Sequence, residues 1–285
     1  RYLMEEIWFD TLHPALLSLA CEAVGGNPSA TTHVGAAIVP LTGAADVHDD
    51  IIDQSTIKGS KPTVFGKFGK DIALLVGDAL LFKGLIMLHE ACESLPQKQK
   101  QAILTLTKEA FFEIGSAEAK ETSLRGKFDL SAEECLNIIK MKVAIAGATA
   151  KIGAILGGGT PEEVEALGHY GKTLGILMTI RDEFIDIFEP DELKNRAEKE
   201  CLPLPILCTL QDSKRKNKII KLLKGSKITE KEIDEILSLV MDAKETQKLR
   251  RKMQLLIQRE IRQLHFVKSH AHTLGLLLQS AVEDL

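Results

Sequence analysis

Aromatic side chains are scarce in this 285-residue chain, which has one Trp, two Tyr and ten Phe, 5% of the whole. Sheet proteins lean on aromatic and β-branched residues. Their scarcity, with abundant Leu, Ile, Ala, Lys and Glu, points to helices. Cysteine is limited to Cys21, Cys92, Cys135, Cys201 and Cys208, an odd number with no CxxC pair. Neither a disulfide framework nor a zinc site is indicated, and a reduced, cytoplasmic setting is expected. Neither sign of charge dominates: 36 Lys and Arg stand against 40 Asp and Glu, a formal net charge of −4. That argues against nucleic acid as a partner. Long apolar runs are missing too. Residues 34–45 are interrupted by Pro40 and ended by Asp46, short of the ~20 residues a bilayer span needs. No transmembrane segment is therefore expected, and no signal peptide is visible in a sequence that begins at Arg1. Strand, hairpin and fixed-period repeat signals are absent as well.

What is present is an unusual concentration of carboxylates. In Asp46-Val47-His48-Asp49-Asp50-Ile51-Ile52-Asp53 the aspartates fall at i, i+3, i+4 and i+7, one narrow face of a helix. Two carboxylates ~6 Å apart repel by roughly 3 kcal/mol at an effective dielectric of ~20. Such a stripe requires something positive upon it. A second cluster, Asp182-Glu183-Phe184-Ile185-Asp186, places Asp182 and Asp186 one turn apart, with Glu189 beyond. Two acidic stripes can converge on one cation. Oxygen ligands without His or thiolate suit a hard ion, and Mg2+ completes its shell with water and phosphate oxygens. The residues thus point to a phosphorylated substrate held through Mg2+, while the blander reading of either stripe is a solvated helix face.

The remainder reads as helices in one all-α domain, residues 1–285. A helix over residues 2–24 restarts near Pro14, Gly25-Gly26-Asn27-Pro28 turns the chain, and the next helix runs from Ser29 into the first stripe. A Lys- and Gly-rich loop spans residues 54–62, an apolar helix residues 71–94, and a helix beginning near Pro96 reaches Glu121. Ser131 with Glu134, Thr160 with Glu163, and Thr229 with Glu232 have capping-box spacing and mark helix starts. Gly157-Gly158-Gly159 lacks the lysine and strand of a phosphate loop and reads as a helix-to-helix turn. The basic runs at residues 214–218 and 250–252 read as solvated faces. His265, His270 and His272 lack the company of a metal site.

With both stripes in place the chain resembles the all-trans polyprenyl diphosphate synthases. Asp49-Asp50-Ile51-Ile52-Asp53 corresponds to the first DDxxD motif, followed by residues 59–63 and Gly77-Asp78-Ala79-Leu80-Leu81. Lys142, Leu174-Gly175, the segment 182–186 as second motif, and Lys199 ahead of Leu202-Pro203 complete the order. The resemblance implies an all-α bundle around a central cavity, usually homodimeric. It implies Mg2+ on Asp49, Asp50, Asp53, Asp182, Glu183 and Asp186, with Lys142 and Lys199 contacting the diphosphate of an allylic prenyl substrate. Ionisation to an allylic cation, attack by isopentenyl diphosphate and loss of a proton would follow.

The departures concentrate on the second substrate. Where the family has a Gly-Gly-Lys-Arg-x-Arg-Pro run this chain has Trp8-Phe9-Asp10-Thr11-Leu12-His13-Pro14, so Asp10 replaces lysine and Thr11 and His13 replace arginines. Thr42 replaces a histidine, Lys58-Gly59 an Arg-Arg pair, Met178-Thr179 a Phe-Gln, Val143 a threonine, and Glu183 an aspartate. Isopentenyl diphosphate should bind poorly unless Lys58, Lys61 or residues upstream of Arg1 substitute. Leu41, Ala44 and Ala45 would floor the tail cavity on the family's architecture. Their size implies either an open tunnel for a long prenyl tail or close helix packing. Three readings stay open: a Mg2+-dependent prenyltransferase of isoprenoid biosynthesis, a class I terpene synthase-like lyase, and a non-catalytic subunit pairing with a related synthase chain.

Overall fold

A computed structural model describes residues 2, 10–58, 61–225 and 227–283. These residues are helical nearly throughout, as the composition requires. The elements are α1 (Leu12–Ala23), α2 (Thr32–Ile52), β1 (Ile57–Lys58), β2 (Lys61–Pro62), α3 (Val64–Phe68), α4 (Lys70–Ala91) and α5 (Gln97–Ser123). They continue with α6 (Ala132–Lys142), α7 (Ala144–Leu156), α8 (Pro161–Ile185), α9 (Pro190–Lys199), α10 (Leu204–Thr209) and α11 (Ser213–Leu223). Last come α12 (Glu230–Met241), α13 (Lys244–Gln263) and α14 (Ala271–Ser280). All three capping boxes form: Ser131 and Thr229 exchange bonds with Glu134 and Glu232, and Thr160 does so with Glu163. The glycine run closes α7 as a helix-to-helix turn, with Gly158 at φ +75°. The unforeseen element is the hairpin β1–β2, antiparallel with Lys58 opposite Lys61.

The chain groups into two compact units. The first comprises residues 1–112, 144–171 and 265–271, and the second residues 113–143, 172–264 and 272–285. In the first unit Leu17, Val34, Ile38, Leu41, Leu88, Ile103 and Ile152 form the core. Its helices approach closely where side chains vanish. A Cβ on Gly153 of α7 would lie 2.2 Å from the Leu17 carbonyl oxygen of α1. A Cβ on Gly84 of α4 would lie 2.6 Å from Leu41 Cγ of α2, and one on Gly77 2.5 Å from His48 Nε2. Leu41 and Ala44 are thus buried packing residues. Ala45 is partly exposed.

Among the described residues, helix α4 is long and apolar enough to cross a membrane by length and composition alone. Within its 22 residues an 18-residue window has a mean hydropathy of 1.8, with 22% of that window buried. Asp71, Asp78 and Lys83 interrupt the run and hide it from a scan for uncharged stretches.

In the second unit, the basic run at 214–218 is more than a solvated face. Arg215 donates to the carbonyls of Leu239 and Asp242, closing the end of α12, and Lys218 pairs with Glu235.

Candidate active site

In the first unit, the first acidic stripe is helical as its spacing predicts, and Asp53 is its C-cap. The helix ends because Gln54 turns left-handed at φ +55° while the Ser55 N–H returns to the Asp50 carbonyl at 2.9 Å, a six-to-one closure. The chain then folds back: Thr63 donates to the Ser55 carbonyl at 2.7 Å and caps α3 by accepting from the Gly66 N–H at 2.9 Å. A Cβ on Gly66 would stand 2.0 Å from the Thr56 carbonyl oxygen, so only glycine allows this return. The hairpin carries Lys58 onto the stripe, its Nζ 2.6 Å from Asp46 Oδ1 and 3.0 Å from Asp50 Oδ1.

Lys58, foreseen as a substrate ligand, is therefore the chain's own counter-ion for two of the four aspartates. Burial pushes Asp50 up to about 6, with Lys58 drawing it back and Asp46 and Asp49 adding to the rise. Burial works against the Lys58 charge, but Asp46 and Asp50 outweigh it and raise the ammonium above its ordinary value. Asp49 is different: its Oδ1 is buried with no hydrogen-bond donor, an acceptor in want of a cation. Lys61 is exposed on the return strand. Gly59, Trp8 and Phe9 lie outside the described residues.

The substituted positions upstream of the stripe bond to one another. Asp10 accepts the His13 backbone N–H at 3.0 Å, His13 Nδ1 at 2.8 Å and the Thr42 hydroxyl at 2.8 Å. Burial alone would raise its pKa, but the His13 and Thr42 bonds and the His13 charge hold it below the usual carboxylate range. Positions where the family resemblance calls for basic groups are occupied by a self-satisfied acidic network.

In the second unit the second acidic segment lies at the end of α8 and in a 3-10 turn, Asp186–Phe188. Glu183 departs from its expected role as a metal ligand. Its Oε1 accepts from Arg196 at 3.0 Å and its Oε2 from the Leu204 N–H at 2.8 Å, so both oxygens face inward and are taken. Asp182 is exposed beside Arg181, its carboxyl raised by partial burial against the pull of that arginine. Burial, opposed by Arg196 and reinforced by Glu192 and Glu183, lifts Asp186 to about 7. Lys142, foreseen on a diphosphate, pairs with Glu118 at 3.0 Å and with Glu121. Lys199 is partly exposed in the last turn of α9. Asp182, Asp186, Glu121, Lys142 and Arg196 line a cavity of about 130 Å³.

Sequence reasoning missed Arg196 and the glutamates on Lys142. Arg196 sits among Lys194, Glu198, Lys199 and Glu200, and only its i,i+4 spacing to Glu200 hinted at a pairing. Among the described residues no three His, Cys, Asp or Glu side chains form a ready metal cage. Mg2+ commonly takes one or two carboxylates, keeping waters and phosphate oxygens. The first segment fits that demand through Asp49 and, one turn on, Asp53. The second does not fit as a full set, because Glu183 is spent.

Comparison with known proteins agrees with this fold. A family model described as polyprenyl synthetase matches residues 11–240, and the chain belongs to that family. A short chain isoprenyl diphosphate synthase of Methanothermobacter thermautotrophicus is 29% identical over 230 residues, 80% of this chain and 67% of that protein. A geranylgeranyl diphosphate synthase of Sulfolobus acidocaldarius is 29% identical over 78% of this chain and 65% of its own length. The chain thus spans about two thirds of these relatives. The crystal structure of a geranylgeranyl pyrophosphate synthetase from Pyrococcus horikoshii superposes with a TM-score of 0.85, at 26% identity over 95% of this chain and 85% of that one.

Proposed function

We propose that the protein is a prenyltransferase of isoprenoid biosynthesis that binds an allylic prenyl diphosphate through Mg2+. The observation that carries this reading is Asp49: a buried carboxylate oxygen without a donor, on the acidic helix of a polyprenyl synthetase family member. Asp49 and Asp53 would hold the metal, which when bound would neutralise the diphosphate and favour its departure. Lys58 keeps Asp46 and Asp50 in place, so the stripe survives without metal. Lys199 would meet the diphosphate directly. Lys142, already paired with two glutamates, would position that end of α6.

The Asp10–His13–Thr42 network favours a second reading, in which isopentenyl diphosphate is handled by a related chain and this one serves as a subunit of a heteromeric synthase. Incubation with geranylgeranyl diphosphate and Mg2+, with and without isopentenyl diphosphate, decides between them. Elongated diphosphate from the chain alone supports transfer. Product only in a mixture with a related synthase supports the subunit, and a hydrocarbon or alcohol without isopentenyl diphosphate indicates a lyase. Asp49→Asn with Asp53→Asn should abolish turnover; undiminished turnover sinks the metal assignment.

We also propose self-association through α4. Ile72, Leu75, Ala79, Phe82 and Ile86 follow a 3-4-3-4 spacing, the seam spacing of paired helices. All five are exposed, with Phe82 at 66%. A second copy would cover that seam.

A further inference from the structure

We propose that Arg196 stands in for a divalent cation at the second acidic segment, so that Glu183 and Asp186 hold no metal and that segment offers metal only Asp182. The inference rests on the reading of the first segment as the metal-binding one. Three observations carry it.

First, Glu183 has no oxygen left to give. Arg196 Nη2 lies 3.0 Å from Oε1 and the Leu204 N–H 2.8 Å from Oε2. The second bond ties the carboxylate to the start of α10, so turning it outward would strand a buried backbone donor. Secondly, the same guanidinium reaches the other carboxylates. Arg196 Nη1 lies 3.3 Å from Glu200 Oε2 and 3.9 Å from Asp186 Oδ2, and Glu200 is further held by Asn195 Nδ2 at 2.6 Å. Thirdly, the cation is permanent. Arg196 is 13% exposed, and a guanidinium does not surrender its proton. A divalent ion beside it would face a fixed like charge in a poorly solvated place. In this chain a side chain thus neutralises the second acidic segment constitutively.

The geometry therefore separates the three carboxylates. Glu183 is a positioning residue, Asp186 shares the arginine at longer range, and Asp182 lies 3.8 Å from Arg181 Nε.

The test is a count of Mn2+ bound per chain, read from the free-ion electron paramagnetic resonance signal, with the full chain and inorganic pyrophosphate as the probe. Glu183→Gln should leave the number of bound ions unchanged and their affinity within twofold. Arg196→Gln, checked for retained helicity by circular dichroism, should take up one more Mn2+ per chain than the parent. Loss of one ion or a tenfold weakening in Glu183→Gln overturns the proposal, as does a folded Arg196→Gln with the parent's count. Should Arg196→Gln not fold, the Glu183→Gln count decides alone. Asp49→Asn with Asp53→Asn reports on the underlying reading separately. If that pair leaves uptake intact the first-segment assignment fails, while the Arg196 and Glu183 results still stand or fall on their own counts.

Discussion

Replacing Asp10 by alanine gives a direct measure of the network that stands where basic residues would be expected. The carboxylate receives the His13 N–H at 3.0 Å, His13 Nδ1 at 2.8 Å and the Thr42 hydroxyl at 2.8 Å, with its side chain 6% exposed. Hydrogen bonds to a charged group contribute ~1.5–3 kcal/mol each but do not add. Thr42 has alternatives in the Ile38 and Val39 carbonyls at 3.2 and 3.1 Å, so its hydroxyl loses little. The His13 N–H belongs to the first turn of α1, and losing a helix N-terminal acceptor costs ~1 kcal/mol. The sum expected for Asp10→Ala is about 2–3 kcal/mol at pH 7. Asp10→Asn, which keeps an acceptor for the His13 N–H, should lose about half as much.

The pH dependence follows from the sign of the shift. The folded pKa of Asp10 lies below the ordinary carboxylate value of 3.8. Its ionisation therefore contributes stability that is complete above that value and is lost as pH falls through the folded pKa. Urea unfolding at pH 5 and 3 should show the gap between parent and Asp10→Ala narrowed at 3. A gap under about 0.5 kcal/mol at pH 7, the range of ordinary surface substitutions, or one that widens from pH 5 to 3, refutes the account.

Lys58→Ala leaves Asp50 buried without its partner. A broken buried pair costs ~3–5 kcal/mol, but Lys58 is 43% exposed and solvent screens it, so ~1–2 kcal/mol at pH 7 is expected. Because Asp50 titrates near 6, protonation relieves the unpaired charge, and the loss measured in urea should be smaller at pH 5 than at pH 7. Gly153→Ala would put a methyl 2.2 Å from the Leu17 carbonyl oxygen. Overpacking of that kind costs ~1–3 kcal/mol or more, and a melting temperature equal to the parent's would show that α1 and α7 can part freely. Phe82→Glu should convert a dimer to a monomer in sedimentation velocity; a parent already monomeric, or a variant still dimeric, removes α4 as the seam.

Patterns that are local in the chain were legible before any coordinates. The capping spacings at Ser131, Thr160 and Thr229 set helix starts because a hydroxyl and a glutamate three residues on meet within one turn, whatever the rest of the molecule does. The same holds for the shared face of Asp46, Asp49 and Asp50, which the 3.6-residue period dictates, and for the helical class, which follows from propensity summed along the chain. The ordered motifs sufficed for the family.

Which carboxylates are already neutralised was a tertiary matter. Lys58 reaches Asp46 and Asp50 only because Gln54 turns left-handed and Gly66 lets the chain pass against Thr56. Arg196 reaches Glu183 across 13 residues and a helix break, and Asp10 meets Thr42 across 32. Leu41 is core because Gly84, far along the chain, leaves room for it. A sequence shows where charge is concentrated. Which opposite charge arrives first depends on how the backbone folds back, since Coulomb and hydrogen-bond energies depend on distance in space rather than along the chain.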